Sequence, residues 1–523
     1  MTNTIRSLAL GCSALALASC GGDEIVSPGT GGDIIINNPT TPPTGTPTTP
    51  PTGALVTPAA GCPTIADPQG LADSGTISGP TGEYRVCTLP ARFNASTTLP
   101  YLPGVLYRLN GRVDVGTDGG PSPSDADGLS DTNVQLTIAP GVILFASGAS
   151  FLNVNRGNTI RANGTAQRPI IFTSRDNVQG LNGQSSSGQW GGVVLSGRAP
   201  VTDCIAANAA PGTVNCQRQV EGVADPALFG GATPTDSSGS MSYVQIRYSG
   251  FVLSGDSELQ SLTTGGIGSG TVLNHIMSYN SSDDGVEFFG GRVNVKNLIV
   301  VGAEDDSLDT DTGVKANMQY VIAIQRPGAG DTIIEADSDN AFNDSTPRQN
   351  TRISNATFVH QNAIDQVVRI RGFADYALAN TVIVSAQGTA CLRVDGQEEL
   401  TRTSGPDEAG PVAFDSVALA CANPFRDGSG ATAADVRAVF DAGTNNRSTF
   451  VATLQGLFRN GSNENGVPIY DASQWGAFFD RPERIGAVYD SNAAWVTGWT
   501  CNSATVVFDS AVTDCARLPV YSS

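Results

Sequence analysis

The chain has 523 residues with 49 acidic and 29 basic side chains, which gives a formal net charge of −20. A surface this acidic excludes nucleic acid as a natural partner, because phosphate binding requires clustered positive charge. From residue 61 onward the chain is long enough for one large domain or two.

The N-terminus carries the pattern of a bacterial lipoprotein signal. Arg6 precedes an apolar run that ends in Leu17-Ala18-Ser19-Cys20. This run is about 12 residues, too short for the roughly 20 that a membrane-spanning helix needs. The resemblance implies cleavage of a signal peptide at residues 1–19 and attachment of lipid, including palmitate, to Cys20. Because no Asp follows Cys20 to imply retention at the inner membrane, we expect an outer-membrane or cell-surface location.

A proline- and threonine-rich segment follows. Residues 21–60 hold eight Pro and nine Thr, with no aromatic residue and no cysteine. Such a segment cannot bury a core and behaves as an extended, semi-stiff linker. We therefore predict that residues 20–60, beginning with the lipidated cysteine, form a tether that holds the rest of the chain away from the membrane.

Eight further cysteines fall as four neighbouring pairs along the sequence. No C-x-x-C motif is present, so a zinc or thiol-redox site is not predicted. Many pairings are possible, but short separations in an exported chain favour local disulfides. The predicted pairs are Cys62 with Cys87, Cys204 with Cys216, Cys391 with Cys421, and Cys501 with Cys515.

Short β-rich runs alternate with Gly, Asn and Pro turns through the middle of the chain. Residues 134–174 are typical of this strand pattern. A five-residue phrase then returns at intervals of 22, 26, 34 and 24 residues, as DDGVE (283–287), DDSLD (305–309), DTIIE (331–335), DQVVR (365–369) and TACLR (389–393). A loose period of this length predicts a solenoid whose coils stack side by side.

These strands and turns resemble the right-handed parallel β-helix proteins of the pectate-lyase-like superfamily. More specifically, four stretches are similar to bacterial surface β-helix lipoproteins without a well-defined activity: 266–271, 283–300, 305–313 and 498–500. The fold class that this resemblance implies is all-β, a single right-handed parallel β-helix over residues 131–430.

Both ends of the solenoid are predicted to be capped, because a bare edge would pair with other chains. We expect an N-terminal cap and the first coils at residues 61–130, and a small, partly helical C-terminal cap at 431–523. Helices are predicted at 431–443 and 448–458. Residues 200–240, which are rich in Ala, Gly, Pro and Ser, are predicted to be an inserted loop.

Several downstream strands begin behind a polar or aromatic residue, as in YVQI at 243, HIMS at 275 and YVIA at 320. Asn297, Asn355 and Asn380 occupy the same place in their coils. The resemblance to β-helix folds implies that asparagines stack at this turn.

Strand alternation predicts which residues of the repeated phrase point outward. If Val286 and its counterparts face the core, one outward column holds Glu287, Asp309, Glu335, Arg369 and Arg393. A second column, two residues on, holds Phe289, Asp311, Asp337, Arg371 and Asp395. A third, at the first position of the phrase, holds Asp283, Asp305, Asp331, Asp365 and Thr389. One face therefore changes from acidic to basic along the solenoid.

The acidic part of this face is a candidate cation site. Coils stack at about 4.8 Å, so neighbouring carboxylates would repel by about 3.5 kcal/mol at an effective dielectric of 20. Protonation, splaying into solvent or a bound cation would relieve this repulsion, and calcium suits ligands that are all oxygen. Alternatively, the acids only solvate the surface or accept hydrogen bonds from turn amides. The candidate ligands for Ca²⁺ are Asp283, Glu287, Asp305, Asp309, Asp311 and Glu335.

A resemblance to pectin-degrading β-helix hydrolases keeps an enzyme open. Those enzymes carry acidic motifs on adjacent coils followed by an Arg-Ile-Lys strand, and Arg369-Ile370-Arg371 follows the acids here. Their Gly-His-Gly coil is missing, and neither His275 nor His360 stands in its place. An arginine base would allow a lyase. The catalytic residues of such an enzyme would be Asp283, Asp284, Asp305, Asp306, Asp309, Arg369 and Arg371.

The preferred interpretation is a surface lipoprotein that binds an extracellular ligand, with a polysaccharide expected, as an accessory to uptake or adhesion. It assigns no catalytic residue. Arg369, Arg371 and Arg393 would clamp carboxylates or hydroxyls of the ligand. An outer-membrane transporter is a candidate partner. The alternatives are a polysaccharide hydrolase or lyase and a purely structural surface component.

Overall fold

The computed structural model describes residues 55–521, apart from 125–126, 224, 255–256, 339–344, 387, 403–404 and 406. The predicted signal peptide, Cys20 and most of the predicted tether lie outside the described residues. Within the described part, no helix combines the length and the apolar character that crossing a bilayer requires.

The regular secondary structure of the described chain consists almost entirely of short strands. Through the first half they are β1 (Ala72–Gly79), β2 (Gly82–Thr88), β3 (Arg92–Phe93), β4 (Thr97–Leu99), β5 (Val105–Arg108), β6 (Arg112–Val115), β7 (Gln135–Ile138), β8 (Ile143–Ala146), β9 (Phe151–Val154), β10 (Thr159–Asn163), β11 (Ile170–Ser174), β12 (Val193–Ser196), β13 (Arg218–Gln219), β14 (Leu228–Phe229), β15 (Gly239–Arg247), β16 (Val252–Ser254), β17 (Ser257–Glu258), β18 (Leu262–Gly265) and β19 (Val272–Tyr279). The remaining strands are β20 (Val286–Phe289), β21 (Arg292–Val301), β22 (Leu308–Asp311), β23 (Lys315–Ile324), β24 (Ile334–Ala336), β25 (Asn350–His360), β26 (Gln366–Ile370), β27 (Asp375–Ala379), β28 (Val382–Ser385), β29 (Ala390–Val394), β30 (Ala413–Asp415), β31 (Ala418–Ala420) and β32 (Asn423–Arg426). The α-helices are α1 (Arg175–Gln179), α2 (Gln397–Leu400), α3 (Ala433–Ala442) and α4 (Ser462–Asn465), and single 3₁₀ turns lie at Ala472–Trp475 and Ala493–Val496.

These strands form a parallel β-helix, as predicted. An eleven-stranded sheet runs in the order β3-β6-β9-β12-β18-β20-β22-β24-β26-β29-β32, and a seventeen-stranded sheet holds most of the other strands. Each strand of the eleven-stranded sheet except the last, β32, is followed by a strand of the other sheet before the chain returns one layer further along, and the separate pair β13–β14 is inserted after β12. The predicted all-β solenoid is therefore confirmed.

The long strands of the seventeen-stranded sheet bend in their middle. The first half of β15 pairs with β10 and its second half with β11, so each half continues a separate ladder. The bends fall at residues with positive φ: Tyr243, His275, Asn297, Tyr320 and Asn355. Asn is among the side chains that tolerate this left-handed conformation. The polar or aromatic residue seen in the sequence therefore marks the bend of the coil.

The predicted asparagine stack forms only in part. Leu298 pairs with Val321 and Val321 with Ala356, which places Tyr320 between Asn297 and Asn355 in the column of bends. Farther along, Asn380 stands at φ 51° one coil beyond Asn355, and its Nδ2 donates to Ser354 Oγ at 3.0 Å.

The interior of the solenoid is one continuous apolar column. The predicted inward residues of the repeated phrase are all fully buried in it: Val286, Leu308, Ile334, Val368 and Leu392. Each buried side chain of this size contributes about 1.5–3 kcal/mol of hydrophobic stabilisation. A shift of one residue in the strand pairing would turn these side chains to the outer face, so the observed register is strongly favoured.

All four predicted disulfides are formed, and each joins cysteines that are near in sequence. The first lies in the N-terminal region, where β1 and β2 make an antiparallel hairpin and β2 then pairs in parallel with β5. The second lies in the inserted loop between β12 and β15. In that loop Phe229 of β14 packs against Phe289 at 6.0 Å, so the loop covers part of the outer surface of the eleven-stranded sheet.

The C-terminal region divides into a capping helix and a long return segment. Helix α3 begins at the capping box of Thr432 and Asp435, and its Phe440 packs on Phe414 and Phe425 of the last coil. The following chain runs back beside the bends of the solenoid toward the first coils. Its contacts join Tyr470 to Asn380, Arg484 to Asn355, Trp499 to His275, Cys515 to Arg247, and Tyr521 to Pro169.

The prediction of a helix at residues 448–458 is wrong. This stretch is extended and turn-like, with Leu457 at φ 72° and the Phe450 N–H donating to Leu419 O at 3.1 Å. Phe458 packs against Phe508 of the return segment at 5.0 Å, in an apolar cluster that also includes Ile299 and Ile322 of the solenoid, so these side chains do not form one face of a helix. Tertiary contacts therefore override the local helical pattern.

Candidate cation-binding site on the eleven-stranded sheet

Three consecutive strands place acidic side chains in register on the outside of the eleven-stranded sheet. Glu287 of β20 pairs with Asp309 of β22, and Asp309 with Glu335 of β24. The column continues to Arg369 and Arg393, as the sequence predicted. Because the residues on either side of each acid point into the core, the acids must face outward.

The turn before each strand adds further carboxylates. Asp284 Oδ1 accepts a hydrogen bond from the backbone N–H of Asp306 at 2.9 Å, which fixes one coil to the next. Asp306 in turn accepts from the hydroxyl of Thr332. Thr332 occupies the place in the third coil that Asp284 and Asp306 hold in the first two coils. This inner column therefore contains two acids and is continued by a threonine.

Together these residues form a set of overlapping carboxylate triads. In each triad one oxygen per residue lies within 4.8 Å of the others. The triads are Asp283–Asp284–Asp305, Asp284–Glu287–Asp309, Asp305–Asp306–Asp331 and Asp306–Asp309–Glu335. We call these eight residues the acidic ladder. The acidic ladder brings carboxylates from three successive coils close together, and each triad could supply three oxygen ligands to a cation.

Three of the eight residues of the acidic ladder are buried and four are half-buried. Asp284 and Asp306 are each 5% exposed and Glu287 is 8% exposed, whereas Asp331 is exposed. Among the described salt bridges, Glu335 is the one member that contacts an arginine within the ion-pair distance. One oxygen of Asp309, Oδ1, is buried without a hydrogen-bond partner among the described residues.

This environment disfavours ionised carboxylates. Burial raises the pKa of Asp283 and of Asp305 to about 7, and repulsion from nearby carboxylates adds to the effect. Burial, followed by repulsion from its neighbours, also holds the pKa of Asp284, Glu287, Asp306 and Asp309 well above the ordinary range. A site that holds protons in this way releases them when a cation takes their place.

The predicted ligand-binding arginines lie beside the acidic ladder and are already paired. Arg369 contacts Glu335 at 3.3 Å and Asp395 at 3.0 Å. Arg371 contacts Asp337 at 2.9 Å and Glu335 at 3.5 Å, and Arg393 contacts Asp395 at 2.6 Å. The change from acid to base along the sheet is therefore a network of ion pairs, and these guanidinium groups present less free positive charge than the sequence alone suggested.

Five of the six predicted metal ligands lie in the acidic ladder, and one lies apart. Asp311 is two residues beyond Asp309, outside the triads, where burial raises its pKa to about 7. Asp284, Asp306 and Asp331 also lie in the acidic ladder, although they are not among the predicted metal ligands. The doubled Asp of DDGVE and DDSLD was the signal for the first two, because adjacent turn residues can both reach the next coil.

The geometry also bears on the enzyme alternative. Neighbouring carboxylates in the triads approach within 4.8 Å, closer than the roughly 6.5–9.5 Å of an inverting glycosidase pair. His360 is buried, with Nε2 2.6 Å from the carbonyl oxygen of Asp331 and Nδ1 accepting from the Asn362 N–H at 3.2 Å. His275 stacks on Tyr243 at 4.2 Å under the return segment. Neither histidine is presented to a ligand on this sheet.

Comparison with known proteins agrees with this architecture. Residues 127–457 match the family model described as a pectate-lyase like beta helix domain. No curated protein and no solved structure matches the chain. The match covers more than half of the sequence and spans all eight residues of the acidic ladder. The chain therefore belongs to the pectate-lyase-like β-helix family.

Proposed function

We propose that this protein is a lipid-anchored surface protein that binds an extracellular polysaccharide and holds calcium in the acidic ladder. The observation that carries the proposal is the set of four carboxylate triads, which are partly buried and mostly without arginine or lysine partners among the described salt bridges. A protein gains nothing in stability from such a cluster, since each ionised pair at 4.8 Å repels by about 3.5 kcal/mol at an effective dielectric of 20.

Calcium fits the ligands better than other common metals do. The ladder offers carboxylate oxygens without cysteine or an accessible histidine, and calcium takes six to eight oxygen ligands in flexible geometry. The partnerless Oδ1 of Asp309 sits where two triads meet, so a cation beside it would contact carboxylates from two coils. Binding there would cross-link successive layers of the solenoid.

A polysaccharide is the ligand that best suits the remaining chemistry. Beyond the acidic ladder, the ion pairs of Arg369, Arg371 and Arg393 line the same sheet with donors and acceptors at a regular spacing. An extended, hydroxyl-rich polymer can follow such a row, and bound calcium would add positive charge where the protein alone is acidic. The pectate-lyase-like character of the family favours a carbohydrate ligand.

The location rests on the N-terminal pattern. Leu17-Ala18-Ser19-Cys20 and the tether after it fit attachment to the outer membrane, with the solenoid held at the surface. In that position the protein would deliver polysaccharide to an outer-membrane transporter or hold the cell to it.

Affinity electrophoresis through gels that contain acidic or neutral polysaccharides tests the proposal. The full chain should be retarded in gels with calcium and much less with chelator. Asp309→Asn should lose the calcium dependence, whereas Asp365→Asn should retain it, because Asp365 pairs with Arg426 and lies outside the acidic ladder. Equal mobility of the native protein in all gels, with and without calcium, would reject polysaccharide binding.

A hydrolase is the second candidate, favoured by carboxyl groups on adjacent coils with pKa values near 7. A group such as Asp283 or Asp305 could act as a general acid at neutral pH. Release of new reducing ends from uronic-acid polymers, abolished by Asp306→Asn, would establish this function. Unsaturated products would instead identify a lyase, with Arg369 or Arg371 as the base.

A further inference from the structure

A cavity of about 250 Å³ lies beyond the ion-pair network, where β26 and β29 end and α2 begins. It is separate from the triads of the acidic ladder. Its lining consists of Asp337, Arg371, Gly372, Phe373, Asp395, Gly396, Glu398, Glu399 and Ser429.

Glu399 is the unusual residue of this cavity. Glu399 is only 2% exposed, and its Oε1 accepts a hydrogen bond from the Phe373 N–H at 2.8 Å. Oε2 is buried without a hydrogen-bond partner of good geometry among the described residues, although amides of Gly396 and Glu399 lie near the carboxylate. An oxygen left this way in a native fold requires an explanation, and a missing ligand donor is one.

Glu398 directs a second carboxylate oxygen to the same place. A β-carbon at position 396 would lie 2.6 Å from Glu399 Oε2 and 2.7 Å from Glu398 Oε2. Gly396 has an ordinary extended backbone, with φ −124°, so the glycine is not required by backbone conformation. Its missing side chain keeps open the space that both oxygens face.

The charges around the cavity select a cationic ligand group. Asp337 is paired with Arg371, and Asp395 with Arg369 and Arg393. Among the described salt bridges, none involves Glu398 or Glu399, so both carboxyl groups remain available to a cationic group. A ligand carboxylate placed between them would be repelled, whereas an ammonium group could donate to both oxygens.

The size of the cavity indicates an organic ligand. At about 30 Å³ for each water in the liquid, it has room for about eight waters, far more than a bare metal ion needs, and it is slightly smaller than drug-sized pockets of roughly 300 Å³. Phe373 supplies an apolar surface and Ser429 a hydroxyl. Building on the proposed polysaccharide-binding function, we propose that this cavity binds one amino-sugar unit, with its ammonium group between Glu398 and Glu399.

Titration calorimetry of the full chain with glucosamine, glucose and galacturonic acid tests this assignment. We expect glucosamine to bind at least tenfold more tightly than the other two. Glu399→Gln and Glu398→Gln should each weaken glucosamine binding at least tenfold, since a charge-assisted hydrogen bond contributes about 1.5–3 kcal/mol. Gly396→Ala should weaken it as well without changing any charge. Glu83→Gln, at an exposed site on the N-terminal hairpin, should leave it intact.

Several results would overturn the assignment. Equal affinity for glucose or galacturonic acid would rule out the ammonium contact, and so would full glucosamine affinity in both Glu399→Gln and Glu398→Gln. Displacement of glucosamine by calcium would identify the cavity as a metal site instead. None of these results would affect polysaccharide binding in the calcium-containing gels, so failure of the amino-sugar assignment is distinguishable from failure of the proposed function.

Discussion

Neutralising Asp309 should stabilise the calcium-free protein, which is the reverse of what most substitutions in a folded protein do. Asp309 belongs to two triads, and its carboxylate therefore lies near those of Asp284, Glu287, Asp306 and Glu335. Its Oδ1 makes no hydrogen bond that Asp309→Asn would break. The variant keeps the size of the side chain and removes one charge from the centre of the acidic ladder.

The magnitude follows from the spacing of the carboxylates. Each ionised neighbour at 4.8 Å contributes repulsion of about 3.5 kcal/mol at an effective dielectric of 20. Protons shared among the acids relieve part of this repulsion, but holding a proton at pH 8 also costs free energy, because the same group ionises freely in the unfolded chain. We expect Asp309→Asn to raise the free energy of unfolding by roughly 1–3 kcal/mol, well below the sum of the Coulomb terms.

Thermal unfolding at pH 8, with chelator and with millimolar calcium, measures this effect. Without calcium the Tm of Asp309→Asn should exceed that of the native protein. With calcium the native protein should gain more, since a ligand that binds only the folded state stabilises it by about 2.7 kcal/mol at one hundred times its Kd. Asp365→Asn is the matched control and should behave as the native protein. A lower Tm for Asp309→Asn in chelator, or an unchanged calcium response, would refute the reasoning.

Further outcomes follow from the same structure. The stability of the calcium-free protein should fall as pH rises from about 4 to about 8, because carboxyls with raised pKa bind more protons in the folded state than in the unfolded state; denaturant titrations in chelator that show stability rising over this window would contradict it. Replacing Cys391 and Cys421 with Ala should reduce stability by about 3.5 kcal/mol, the chain-entropy estimate for a 30-residue separation, as measured by urea unfolding. Asn355→Ala should cost about 2 kcal/mol by the same measurement, since it loses bonds to Arg484 O and Gly486 O at a positive-φ bend, and Asn355→Gly should cost less if backbone conformation matters there. Cys20→Ala should abolish incorporation of labelled palmitate, and absence of label in the native protein would reject the anchor.

The register of the solenoid could be predicted from sequence because it depends on local alternation. Val286 and Leu308 must enter the core, so Glu287 and Asp309 must leave it, and an equivalent phrase in each coil aligns them. The disulfides could be predicted for a similar reason. Neighbouring cysteines in a solenoid stay neighbours in space, as Cys391 and Cys421 do on successive coils.

Features set by distant parts of the chain could not be predicted in this way. The pairing of Arg369 with Asp395 depends on how long side chains orient between coils, which strand alternation leaves open. The position of Glu399 depends on the short helix α2, which no pattern in the sequence predicted. The return of residues 444–521 along the bends rests on contacts with coils that lie hundreds of residues earlier, such as Arg247 with Cys515.

Isothermal titration of the chelator-treated protein with calcium chloride is the most direct test of the cation site. At pH 7.5, in two buffers with different ionisation enthalpies, we expect saturable binding with release of protons, because calcium would displace protons held by carboxyls of raised pKa such as Asp283 and Asp305. Binding should be weaker at pH 5.5 and lost or much reduced in Asp309→Asn. Absence of any saturable heat up to millimolar calcium at pH 7.5 would contradict the account and leave the acidic ladder as an arrangement of turn residues.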